Sequence, residues 1–162
     1  AEACGRTVLR TGTSRRALSS ASLRDDIGFA GSRRGGFVFP RFLAAYDAVM
    51  SLGMLLQMLD RHEMTLEEGV QRLPAFHLRQ QAVPCPFDRK GAVMRTMAAV
   101  GHSAGAEMVE GVRIPTADGW ALVLPHATEA VVHVYAEGAD GASADGTLSE
   151  FVTAVEDAIA GE

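Results

Sequence analysis

The sequence predicts two units of different class, a partial mixed α/β domain over residues 1–83 and a compact α+β domain over residues 84–162. Three observations carry this. Short β-branched and aromatic runs alternate with helical patterns in the first half. Pro84-Cys-Pro86 is a stiff, extended spacer. After it come, in order, a helix, three closely spaced strands and a helix, the layout of a helix-backed antiparallel sheet of three to four strands.

In the first unit, Thr7, Val8 and Thr11 suggest a strand over 6–11, and Ser14 caps a short helix running to Leu23. Residues 27–30 form a short apolar strand. The loop 31–36 and a second strand, Phe37 to Phe39, follow, and Pro40 stops that strand. Ala45, Val49, Leu52, Leu56 and Leu59 recur at helical spacing, so a helix with a buried stripe is expected between Ala44 and Arg61. Met50, Met54 and Met58 on this helix read as core or interdomain packing. Thr65 with Glu68 is a capping box opening a further short helix, which Pro74 ends. Residues 76–83 read as a strand or an extended linker.

The second unit opens with Asp88 as expected N-cap of a helix to Val100, turning Val93, Met94 and Met97 inward. Met108 to Ile114 pairs with Trp120 to Leu124 through a turn holding Asp118-Gly119, and Val131 to Ala136 continues the meander. Residues 138–146 read as loop. Thr147 and Glu150 then form a second capping box, and Phe151, Val152, Val155 and Ile159 make the last helix's buried stripe.

Composition narrows the function classes. With 48% hydrophobic and 22% charged residues the chain can bury a core. No apolar run reaches the roughly 18 residues of a membrane helix, since Ser51, Gly53 and Gln57 interrupt the longest one. The N-terminus lacks a secretory pattern and an initiator Met, and it reads as the interior of a longer chain. Cys4 and Cys85 are far apart and show no metal-binding spacing, so a reducing, cytoplasmic setting without zinc or disulfide is expected. The net charge of −5 is uneven: residues 1–41 carry eight Arg against three acids, while the rest carry seven basic and seventeen acidic residues. The basic stretch is either a solvated face or a surface that meets an anion. Its arginines are not interleaved with aromatics and the chain is acidic overall, which argues against nucleic acid. Nor is there a GxSxG elbow for a Ser/His/Asp hydrolase, and the run from Gly31 to Gly36 lacks the Lys-Ser/Thr of a nucleotide P-loop.

Five short runs in the second half carry a resemblance: Arg89-Lys-Gly-Ala-Val-Met-Arg95, Val109-Glu-Gly-Val-Arg-Ile114, Asp118-Gly-Trp-Ala-Leu-Val-Leu-Pro125, Thr128-Glu129 and Val134-Tyr-Ala-Glu137. In this order they resemble the fourth domain of the α-D-phosphohexomutases, the phosphomannomutase/phosphoglucomutase family. Upstream, Thr11-Gly-Thr-Ser14, Phe29-Ala-Gly31, Gly35-Gly-Phe-Val-Phe-Pro40 and Ala45-Tyr-Asp-Ala48 are similar to the later part of its third domain. The resemblance implies a partial third-domain-like unit (1–83) and a TBP-like C-terminal unit (84–162). Leu-Val-Leu-Pro125 in place of an Arg-Pro step looks closest to the mutase-like tail of actinobacterial-type mannose-1-phosphate guanylyltransferases.

The resemblance also implies sites. The family's sugar-reading loop, GExSG, falls on Gly31, Ser32, Arg33, Arg34 and Gly35, so the Glu and Ser that bind sugar hydroxyls become Ser32 and Arg34. An Arg there can clamp a phosphate or carboxylate bidentately, with glycines letting backbone N–H groups approach; alternatively Arg33 and Arg34 are turn-tip residues in solvent. The phosphate loop, RPSGTEP, falls on residues 124–130, keeping Pro125, Thr128 and Glu129 but placing Leu124, His126 and Ala127 where Arg, Ser and Gly stand. His126 either supplies part of the missing positive charge as an imidazolium or is an ordinary surface residue. The implied function is a C-terminal region that binds a hexose phosphate through Ser32, Arg34, Gly35, His126, Ala127 and Thr128, with reduced phosphate affinity. No residue is assigned a catalytic role, because the family's phosphoserine loop and metal loop are absent. No cofactor is expected in this chain; Mg²⁺ would belong to an upstream domain. Expected partners are the hexose phosphate and upstream mutase or nucleotidyltransferase domains, with homo-oligomerisation compatible and neither nucleic acid nor membrane. A degenerate structural or oligomerisation tail of a guanylyltransferase is the rival reading.

Overall fold

A computed structural model describes residues 5–12, 14–32 and 35–161. It divides into two compact units that part between Pro74 and Ala75. The expected boundary at Pro84–Pro86 is therefore displaced. Residues 76–83 are not a linker of the first unit, because His77–Pro84 pairs along its whole length with the last strand of the second.

In the first unit α1 spans Arg15–Ser22, and the Ser14 side chain accepts from the Ala17 amide as the capping pattern requires. Residues 6–11 form no strand, and the run at 27–30 shrinks to β1, Ala30–Gly31, paired antiparallel with β2, Phe37–Val38. Phe29 stacks against Phe37 with ring centroids 5.8 Å apart. Then α2 spans Ala48–Arg61, capped by Asp47, whose carboxylate accepts from the Met50 amide at 2.7 Å. Its expected buried stripe is absent. No α2 residue is buried, and Val49 is 82% exposed. A two-stranded ribbon is too narrow to cover a fourteen-residue helix, so periodicity alone overstated the core here.

The last helix of this unit, α3, spans Leu66–Gln71 and opens on the expected capping box, with reciprocal bonds between Thr65 and Glu68. It ends at Arg72, before Pro74. The Thr65 amide and then its hydroxyl donate to the Glu68 carboxylate and hold its pKa below the ordinary value. A depressed carboxyl pKa stabilises above the unfolded value, near about 4.3, and that contribution is lost as pH falls through the folded value. Amide exchange at Thr65 and Glu68 is accordingly expected to accelerate below that range, while the Glu68→Gln variant shows no such step.

The second unit is a five-stranded antiparallel sheet backed by two helices. Its strands are β3 (His77–Pro84), β4 (Glu107–Val109), β5 (Gly111–Thr116), β6 (Gly119–Pro125) and β7 (Val131–Gly138), in the order β3-β7-β6-β5-β4. The helices are α4 (Phe87–His102) and α5 (Gly141–Ala160). The sheet has more strands than expected. β3 joins its edge, and the run 108–114 breaks at Glu110, which takes a positive φ of 62° and folds β4 back on β5. Along β7, Val132, Val134 and Ala136 are fully buried, while on the alternate positions His133 and Glu137 are half-buried and Tyr135 is nearly covered. The core joins Val132 and Val134 to Val93 and Met97 of α4 and to Phe151 and Val155 of α5.

Several local expectations need correction. Asp88 is not the N-cap of α4; the helix starts at Phe87 behind Pro86, and Asp88 lies in its first turn. Residues 138–146 are not loop. Asp140 caps α5 by accepting from the Ser143 amide at 2.7 Å, so Thr147 and Glu150 lie inside the helix and form no box at its start. Gly119, expected in the turn of the β5–β6 hairpin, pairs with Thr116 as the first residue of β6 and has no positive φ. A Cβ there would strike the backbone carbonyl of Glu137, so the glycine allows β7 to approach. Cys85 is buried, and burial pushes its thiol pKa up, which keeps it protonated and unreactive. Cys4 lies outside the described residues.

Candidate functional site

The loop between β6 and β7 gathers His126, Ala127 and Thr128, the expected phosphate-binding residues, in the second unit. Two carbonyl groups of this loop turn toward α4. Lys90 reaches up from the first turns of that helix and donates from Nζ to the carbonyls of His126 and Glu129, both at 2.5 Å. The same ammonium lies 4.3 Å from the Phe87 ring centroid. It makes no ion pair among the described residues, so its charge is left to the loop. Further backbone bonds fix the ends: His126 N–H donates to the Val131 carbonyl and Cys85 N–H to the Ala130 carbonyl.

Inside the loop the amides turn the other way. Those of Thr128 and Glu129 both donate to Nδ1 of His126, at 3.4 and 3.0 Å. An accepting Nδ1 carries no proton, which puts the proton of the neutral imidazole on Nε2, 4.0 Å from a Glu129 carboxylate oxygen. The His126 ring also meets His133 edge-on at 5.5 Å, and His133 stacks on Tyr135 at 6.1 Å. His126 is therefore neither a free surface residue nor an imidazolium turned outward; it closes the loop on itself. Ala127 and the Thr128 side chain are exposed. Chemically, this is a cluster of backbone donors with a cation behind it and a hydroxyl at its rim, an arrangement suited to an anion.

Sequence reasoning missed Lys90. A signal was present, because a cation in the first turns of a helix opposes the macrodipole and needs a compensating partner, here the two carbonyls.

The other expected set lies in the first unit. Ser32 and Gly35 sit in the β1–β2 loop, where the Gly35 amide donates to the Ser32 carbonyl at 2.9 Å and the Ser32 amide to the Gly36 carbonyl at 3.3 Å. Gly35 and Gly36 take positive φ values of 85° and 82°, which glycine alone adopts without strain. Arg34, with Arg33, lies outside the described residues. Elsewhere in this unit an open cleft of about 450 Å³ has Arg6, Arg24 and Arg41 among its lining and none of these loop residues. Asp26 takes up the Arg24 charge through two bonds of 3.0 and 2.8 Å.

Phosphoglucosamine mutase of Methanococcus aeolicus is 28% identical over 156 residues, which is 94% of this chain and 34% of that protein. That of Methanocaldococcus jannaschii is 25% identical over 155 residues, 94% of this chain and 35% of the relative. The chain is homologous to the C-terminal region of phosphoglucosamine mutases. It spans about a third of the length of these mutases. Among solved structures, a phosphoglucomutase/phosphomannomutase family protein from Burkholderia thailandensis has the same fold, with a TM-score of 0.71 at 19% identity, covering 91% of this chain and 32% of that one. The N-acetylphosphoglucosamine mutase of Aspergillus fumigatus, solved with GlcNAc-6P and magnesium, superposes with a TM-score of 0.65 at 18% identity over 92% of this chain and 34% of its own. No family model matches the sequence. Among the described residues no group of three His, Cys, Asp or Glu could hold a metal ion, and no helix is long and apolar enough to cross a membrane.

Proposed function

We propose that this chain is the C-terminal hexose-phosphate-binding region of a protein that interconverts sugar phosphates, and that the 125–130 loop holds the phosphate. One observation carries the reading: the Lys90 ammonium, without an ion-pair partner among the described residues, is fixed by two carbonyls of a loop whose Thr128 and Glu129 amides converge on one point and whose Thr128 side chain is exposed. In this reading the amides of Thr128 and Glu129 and the Thr128 hydroxyl donate to phosphate oxygens, and Lys90 offsets part of the dianion's charge from behind. Ser32, Gly35 and Arg34 contribute to sugar recognition. No bond is made or broken by these residues. Phosphoryl transfer and its Mg²⁺ belong to the domains that full-length mutases carry beyond the shared third. The relatives are mutases, and the guanylyltransferase-tail reading draws no support from them.

Isothermal titration of the folded chain with glucose 1-phosphate, mannose 1-phosphate and glucosamine 6-phosphate tests the reading. Saturable heat at about millimolar ligand, corresponding to roughly 4 kcal/mol of binding free energy, is the expected outcome. Absence of heat with all three sinks it.

A further inference from the structure

We propose that His126 is a proton-operated stopper in the anion loop, occupying with Nδ1 the donor pair that a phosphate oxygen would take. This deepens, and rests on, the reading of the 125–130 loop as a phosphate site. Two amides from consecutive residues aim at one point, and that point is filled by the chain's own acceptor. A phosphate oxygen and an unprotonated Nδ1 compete for the same two protons, so above the ordinary histidine range the anion must first expel the ring. Below that range the ring gains a proton at Nδ1. Nδ1–H cannot accept, and it faces two other N–H groups, so the imidazole turns out and the pair is released.

The imidazolium then adds positive charge beside the emptied donors, and anion binding takes up one proton from solvent. The titratable groups around the ring are few. Glu129 on the loop faces Nε2, His133 on β7 meets the ring edge, and Lys90 on α4 binds the His126 carbonyl rather than its side chain. Glu129 favours the imidazolium, whereas Lys90 and a protonated His133 oppose it. The device depends on His126, not on His133, because only His126 touches the amides.

The test uses sulfate, a dianion whose own charge is constant across the range, titrated into the full chain and read by the amide signals of Thr128 and Glu129. With one proton linked, sulfate affinity is expected to rise at least about tenfold from about pH 8 to about pH 5.5. His126→Ala is expected to bind sulfate more tightly than wild type at the upper pH and to show no pH dependence. His133→Gln is expected to keep the dependence. Free of ligand, the two amide signals of wild type move with the titration of the His126 ring, and those of His126→Ala do not. A flat wild-type profile, or a His126→Ala variant that binds more weakly than wild type at the upper pH, overturns the stopper. If wild type and His126→Ala bind sulfate equally at every pH, the stopper fails and the phosphate-loop reading stands. If neither sulfate nor any hexose phosphate binds at any pH, both fail.

Discussion

The Met97→Ala variant loses about 2–5 kcal/mol of unfolding free energy in the second unit. Met97 is fully buried, one of the largest side chains with no exposure at all, and it stands in the middle of α4 against the sheet. Truncation removes the transfer free energy of three heavy atoms and leaves a cavity. The neighbours cannot collapse into it: Val93 is on the same rigid helix, and Val112, Ile114 and Val123 are locked into strands. Urea denaturation followed by Trp120 fluorescence measures the change cleanly. This is the chain's sole tryptophan and it lies on β6, so the signal reports the second unit without interference from the first. A loss below about 1 kcal/mol would mean that the α4–sheet interface is looser than its burial indicates.

Lys90→Met is the second large effect. The substitution keeps an unbranched chain over Phe87 but removes the donor to two carbonyls at once. Bonds to charged groups are worth about 1.5–3 kcal/mol each when partly shielded. Water reaches the exposed Glu129 side of this site, so a total of about 2 kcal/mol is expected in the same urea experiment. Hexose-phosphate affinity is expected to fall at least about tenfold, since the loop loses both its brace and the charge behind it. Lys90→Arg preserves charge but not the geometry of a point donor between two carbonyls, and should recover affinity more than stability. Equal affinity in wild type and Lys90→Met would remove Lys90 from the site.

Local signals were legible where the chemistry is local. Ser14, Thr65 and the inward positions Val93 and Met97 follow from side chains meeting their own neighbours a turn away, and sequence spacing records that directly. The failures share a different cause. Thr147-x-x-Glu150 has the capping pattern, but Asp140 had already opened the helix, and a pattern cannot say which of two caps comes first. The apolar spacing of α2 predicted a buried face, but burial depends on what lies opposite, which spacing does not contain. The strand alternative for residues 76–83 holds, but the unit it joins was not legible, because its partner strand lies some fifty residues away. The 125–130 loop was proposed from resemblance, while two of its contacts were not legible: Lys90 acts from another element, and the acceptor role of His126 depends on the direction of two amides.

The sheet order has a consequence for how the molecule is made. β3, the first strand of its unit to be synthesised, pairs with β7, the last. Until residue 138 has emerged, the hairpins of β4, β5 and β6 can form but the edge that β3 completes cannot. The unit therefore closes by a long-range contact, made only after the hairpins between β3 and β7 have been synthesised.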